Sequence, residues 1–176
     1  QVYAIFLAVV YFAPLFGGMI ADKIGYGKCV TIGFVTMFLG YLGLAIPTDA
    51  DTTGQVSMFA GLACVSLGTG LFKGNLQVLV GNLYDDPKYA ERRIDAFSLF
   101  YMAINIGAMF APSMAKWITN VYLGQFGFVY DAANTNPEYL KALYGAYGLC
   151  FGVACVSLVV YAIIYFACRL WFKHAD

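Results

Sequence analysis

Five long apolar runs constrain this chain more than any other feature; they occupy residues 2–21, 29–46, 56–83, 94–118 and 143–168. A helix that crosses a ~30 Å hydrocarbon core needs about 20 mainly apolar residues, and every run is too long for a strand. Water is absent from the bilayer core, so backbone amides there must pair within their own segment, and helices are the state open to such runs. The pattern predicts an all-α integral membrane protein of about five transmembrane helices. Gly33, Gly40 and Gly43, and then Gly148 and Gly152, recur at spacings that let membrane helices approach closely.

Composition points the same way. Only 11% of residues are charged, against roughly 25% in a soluble domain, so most of the surface does not face water. Ten Lys plus Arg balance ten Asp plus Glu, which leaves no basic face for a nucleic acid. Cys29, Cys64, Cys150, Cys155 and Cys168 lie in the apolar runs or at their ends, without a CxxC pair. They read as small hydrophobes, not as a disulfide framework or a metal site. The sole histidine, His174, is in the tail, and no run holds a carboxylate near its centre. Neither a hydrolytic set nor a metal or cofactor site can be assembled, and enzyme activity is not expected. The chain opens at Gln1 already in an apolar stretch, with no charged leader, which does not fit a signal peptide.

The connections alternate in charge. Residues 22–28 and 85–93 carry Lys and Arg, as does the tail, whereas residues 47–54 carry Asp49 and Asp51 but no Lys or Arg. The fourth connection, 119–142, has Asp131 and Glu138 against Lys141. With those connections and the tail in the cytoplasm, that side holds Lys23, Lys28, Lys88, Arg92, Arg93, Arg169 and Lys173, and the other side only Lys116, at a helix end, and Lys141. Seven against two is the bias of the positive-inside rule. The first helix then starts outside, which implies a further helix ahead of Gln1.

Lys73 is the one formal charge well inside a run, flanked by Leu71, Phe72 and Leu76. At mid-membrane a lysine costs roughly 3 kcal/mol, so it should face a protein interior or a wet cavity. Snorkelling does not relieve it: the basic connection is about 18 Å away along a helix, and the stem reaches roughly 6 Å. Counting from the same face places Tyr11 and Asn105 at about 15–17 Å as well. Three helices thus put Tyr11, Lys73 and Asn105 in one layer near the midplane, where transporters hold substrates and coupling ions. Each has a plainer role available: a core aromatic for Tyr11, an interhelical hydrogen bond for Asn105. Glycines beside Lys73 (Gly68, Gly70, Gly74) interrupt the helix and thin its wall for a ligand; a phosphate loop is excluded, since no strand precedes them.

Three stretches carry a resemblance. Residues 17–25, Gly-Gly-Met-Ile-Ala-Asp-Lys-Ile-Gly, resemble the loop signature of the major facilitator superfamily. Residues 68–75, Gly-Thr-Gly-Leu-Phe-Lys-Gly-Asn, resemble the fourth-helix motif of the proton-coupled oligopeptide transporters, and residues 100–107 resemble that family's Phe-Tyr-x-x-x-Asn-x-Gly signature. The resemblance implies helices two to six of a major facilitator fold, and a proton symporter of di- and tripeptides in a bacterial inner membrane. It also implies roles: Lys73 for proton coupling and peptide contact, Asn105 for the peptide backbone, Tyr11 for the cavity wall. Gly18, Asp22, Lys23 and Gly25 would form the cytoplasmic gating loop. The expected partners are peptide, protons, lipid, and a first helix and C-terminal bundle outside this chain. The chain departs from the family pattern at Gly74, where bacterial members usually carry proline, and at Tyr26 and Gly27, where the superfamily loop is basic. A carrier of sugar, nitrate or drugs, and a non-transporting membrane fragment or assembly partner, are the alternative readings.

Overall fold

The computed structural model describes residues 2–46 and 52–172. The acidic connection bearing Asp49 and Asp51, and the tail residues Lys173 and His174, lie outside the described residues. Five long α-helices follow in order: α1 Val2–Ile24, α2 Tyr26–Ala45, α3 Thr52–Asn82, α4 Arg93–Gln125 and α5 Pro137–Phe172. A single 3-10 turn, Ala90–Arg92, precedes α4. All five helices are long and apolar enough to cross a membrane, and no strand occurs among the described residues. The all-α architecture expected from the apolar runs is the one formed.

The helices overrun the runs that announce them, because a helix goes on satisfying its own backbone after the apolar stretch ends. The connection expected at 22–28 shrinks to one residue, Gly25. Its φ of 96° lies in the left-handed region that glycine adopts without a steric cost. The Gly25 N–H donates to Ala21 O at 2.8 Å, and its carbonyl accepts from Cys29 N–H at 3.1 Å. The connection expected over 119–142 shrinks to residues 126–136, closed by Asp131 N–H donating to Tyr139 Oη at 2.9 Å. Lys116, expected at a helix end, lies well inside α4.

The central helix is α3, which packs along both α1 and α2; α5 packs on α2 and α4. Glycine makes these approaches close. A Cβ at Gly33 would stand 2.8 Å from Phe72 N and 2.9 Å from Gly68 O, and one at Gly68 would stand 2.6 Å from Gly33 O. Gly40 and Gly61 repeat the contact one heptad along, with a Cβ at Gly40 2.9 Å from Gly61 O. Seven residues advance a helix by nearly two whole turns, so Gly33 and Gly40 share one line, as do Gly61 and Gly68. Gly43 departs from the expected contact pattern: three residues past Gly40 it has rotated off the seam, and a Cβ there meets nothing within 4 Å. Gly152 likewise faces open space, whereas Gly148 is buried.

At one end of the bundle, α2, α3 and α5 close around Val30, Leu79 and Tyr165. Tyr161 meets Phe34 and Phe72 edge-on, with ring centroids 6.1 and 5.3 Å away. The Tyr165 hydroxyl donates to Gly27 O at 3.3 Å and ties α5 to the first turn of α2.

Candidate substrate-binding face

The seam between α1 and α3 decides where Lys73 points. A Cβ on Gly17 would strike the Gly70 carbonyl, and one on Gly70 would strike Ala13. Gly74, one turn beyond Gly70, lies in ordinary contact distance of Pro14, a Cβ there coming 3.5 Å from Pro14 Cβ. Two helices this close present the neighbours of the seam side by side. The Lys73 ammonium accordingly lies 5.7 Å from the centre of the Tyr11 ring, within cation–π range and worth about 0.5–1 kcal/mol when exposed.

Both side chains are exposed on the open side of the bundle, Tyr11 at 70%. Among the described residues the one ion pair is Arg93–Asp85 at 3.1 Å, so Lys73 has no carboxylate partner there. An ammonium on an open face beside an aromatic ring can take a carboxylate from a ligand, or from another part of the protein.

The glycines around Lys73 do something other than the expected thinning of the wall. The helix is uninterrupted from Thr52 to Asn82, and Gly68 and Gly70 are filled by α2 and α1. Backbone apposition, not access for a ligand, is what requires glycine here.

Asn105 stands apart from this pair. It lies on an open face of α4 with Ser98, Tyr101, Met102, Ile106 and Met109. It is exposed and makes no hydrogen bond among the described residues. The two helices meet only near the foot of α4, where Gly81 faces Arg93 and Phe97. The last link before they part runs from Gln77 Nε2 to Tyr101 Oη at 3.4 Å. Gln77 is one turn after Lys73 and Tyr101 one turn before Asn105, so this bond joins the faces that bear them. Sequence reasoning assigned neither a role, although the i±4 spacing to Lys73 and Asn105 was available.

Asn75 is the other polar group that hydropathy did not resolve. It is 1% exposed, and its amide nitrogen reaches Leu71 O at 2.8 Å, Gly17 O at 3.1 Å and Cys29 Sγ at 3.1 Å.

The four residues of the expected gating loop are mostly helical. Gly18 is on α1, and a Cβ there meets nothing within 4 Å; its neighbour Gly17 makes the contact with α3. Asp22 accepts a 2.6 Å hydrogen bond from the Tyr26 hydroxyl, so the tyrosine at this departure from the loop pattern holds the carboxylate. Lys23 is exposed, and Gly25 is the turn itself.

A sequence profile described as "PTR2: POT family" matches residues 27–176. The chain is 40% identical over 125 residues to a peptide transporter of Yersinia enterocolitica, covering 70% of this chain and 24% of that protein. It is 35% identical over 120 residues to a di-/tripeptide transporter of Lactobacillus helveticus, covering 66% and 22%. Among solved structures, the peptide transporter POT in complex with sulfate superposes with a TM-score of 0.70 at 30% identity, over 96% of this chain and 28% of that one. Tetrameric PepTSo2 superposes with a TM-score of 0.73 at 27% identity, over 94% and 31%. The chain thus spans about a quarter of the length of the curated relatives it matches.

Proposed function

Because the chain belongs to the POT family, we propose that it forms helices two to six of a transporter that carries di- and tripeptides into a bacterial cell together with protons. The placement of Lys73 beside Tyr11 on the open face, without a carboxylate partner among the described residues, carries this reading. A peptide is a zwitterion, so its site needs a cation for the carboxylate and an anion for the amine. Lys73 supplies the cation. Asn105, across the gap that Gln77 and Tyr101 close at its foot, offers an amide to the peptide backbone. The anion comes from parts of the transporter outside this chain, as does the opposite wall of the cavity. At the Gly25 turn, Asp22 and Lys23 form part of the cytoplasmic gate.

Uptake of a radiolabelled dipeptide by the full-length protein in vesicles tests this directly. An inward proton gradient should accelerate uptake, and unlabelled di- and tripeptides should compete while glucose and nitrate do not. Competition by nitrate, or uptake indifferent to the gradient, would replace the peptide reading with another solute.

The orientation has its own measurement. In a background without the native cysteines, Ala132→Cys lies in the connection between α4 and α5, and Lys88→Cys lies ahead of the 3-10 turn. An impermeant maleimide applied to intact cells should label the first and not the second. The reverse pattern would invert the assignment that the seven-against-two charge bias supports.

A further inference from the structure

Asn75 sits two residues from Lys73, yet points the other way. Successive residues of a helix are about 100° apart. Gly70 and Gly74 lie on the line of α3 that meets Ala13 and Pro14 of α1. Lys73 and Asn75 flank Gly74, one on each side. The Lys73 side is open, and the Asn75 side is closed by α2 and by the far end of the α1 seam.

All three atoms that Asn75 Nδ2 reaches can accept, and they belong to three helices: Gly17 O of α1, Cys29 Sγ of α2 and Leu71 O of α3. The Cys29 thiol in turn reaches Gly17 O at 3.6 Å. Cys29 is fully buried and Asn75 nearly so. An amide with these neighbours is a junction, not a ligand group.

The junction matters because of what surrounds it. A seam of Gly17, Gly70, Ala13 and Gly74 has almost no side-chain ridges, and ridges lodged in grooves are what set the register between helices. Smooth surfaces pack closely but can turn and slide, whereas hydrogen bonds are directional. We propose that Asn75 is a positioning residue, which sets the rotation of α3 against α1 and α2 so that the Lys73 ammonium is presented to the cavity beside Tyr11.

The transport form of the proposal rests on the peptide reading above, and its test separates the two. In the full-length transporter, Asn75→Leu keeps the number and branching of the side-chain heavy atoms and removes every bond. Dipeptide KM should rise about tenfold, the scale of one or two lost interhelical bonds, with maximal uptake per folded molecule nearly unchanged. A merely structural role would lower the amount of folded protein and the maximal rate, and leave KM alone; that result overturns the proposal. Cys29→Ala should raise KM by roughly threefold and Cys29→Ser much less. The double variant Asn75→Leu/Cys29→Ala should be no worse than Asn75→Leu, because the two act through one network. Should Asn75→Leu not reach the membrane, Cys29→Ala against Cys29→Ser decides the matter alone.

If the unsubstituted protein takes up no peptide, the peptide reading fails and the junction is judged by chemistry at Cys29. The thiol should resist N-ethylmaleimide in the unsubstituted protein and react in Asn75→Ala. Equal resistance in both would overturn the junction itself.

Discussion

Lys73→Ala in the full-length transporter is expected to cut proton-driven dipeptide uptake by roughly 30-fold or more, since truncating one side of a charged contact costs about 2–5 kcal/mol. Lys116→Ala serves as the control: Lys116 lies about 35 Å along α4 from Arg93, at the far boundary of the membrane. Lys73→Gln separates two uses of the amine, because glutamine keeps a donor and loses the charge. No carboxylate of the described residues shares the depth of Lys73. Asp22 holds Tyr26, Asp85 pairs with Arg93, and Asp86 and Asp95 are exposed at the same end. On the proposed peptide reading, the partner of the ammonium is the peptide carboxylate or an acid beyond the described residues, and protonation of that acid would free the lysine for the peptide. Lys73→Gln vesicles should then exchange labelled for unlabelled dipeptide, yet fail to accumulate it under an imposed pH gradient. Undiminished accumulation in Lys73→Gln would leave the charge without a role in coupling.

The second large effect lies in the glycine seams. Gly68→Ala should destabilise the bundle severely, because the added Cβ would stand 2.6 Å from Gly33 O and 2.6 Å from Met37 N. Both are backbone atoms, so the helices themselves must part. Overpacking of this kind costs about 1–3 kcal/mol or more, which outweighs the ~1 kcal/mol that alanine gains over glycine in helix propensity. Gly43→Ala and Gly18→Ala meet open space and keep only the propensity gain. Thermal melting of the purified full-length protein should rank Gly68→Ala well below the unsubstituted protein, with the two controls at or above it. A melting temperature for Gly68→Ala equal to that of Gly43→Ala would show that α2 and α3 are not held at this distance.

How much of this was legible beforehand follows the physics of each feature. Long apolar runs leave helices as the state open to the chain, so the five helices and their order are readable. Their ends are not, because the turns beyond the hydrocarbon core answer to backbone bonding and not to hydropathy; Gly25 alone makes the first turn. Counting residues from one face gives depth, which put Tyr11, Lys73 and Asn105 in one layer. Depth carries no lateral information, and Asn105 turns out to stand across an open gap from a contacting pair. Small-residue spacing suggests a seam without naming the neighbour. It found Gly33 and Gly40, admitted Gly43 wrongly, and passed over Gly17, whose partner lies on α3, far along the chain. Asn75 was visible as a polar residue beside Lys73, but two of its three partners, Gly17 O and Cys29 Sγ, come from other helices and no local pattern encodes them.

One consequence concerns the mechanics of α4. It is held near its foot by Gly81 and the Gln77–Tyr101 bond, and near its other end by α5, where Tyr139 and Leu123 are buried together and Cys150 Sγ reaches Ala115 O at 3.7 Å. Between these anchorages, residues 102–114 are all exposed. The unsupported span contains Gly107, and also Pro112, whose missing N–H leaves the Ala108 carbonyl without its helical donor. A beam fixed at both ends and notched in the middle yields at the notch. A bend of about 10° at Pro112, roughly 10 Å along the helix from Asn105, would shift that side chain by about 2 Å, which decides whether an amide can reach its acceptor. The notched span of α4 thus stands across the gap from an α1–α2–α3 unit whose smooth glycine seams are held in register by the Asn75 bonds.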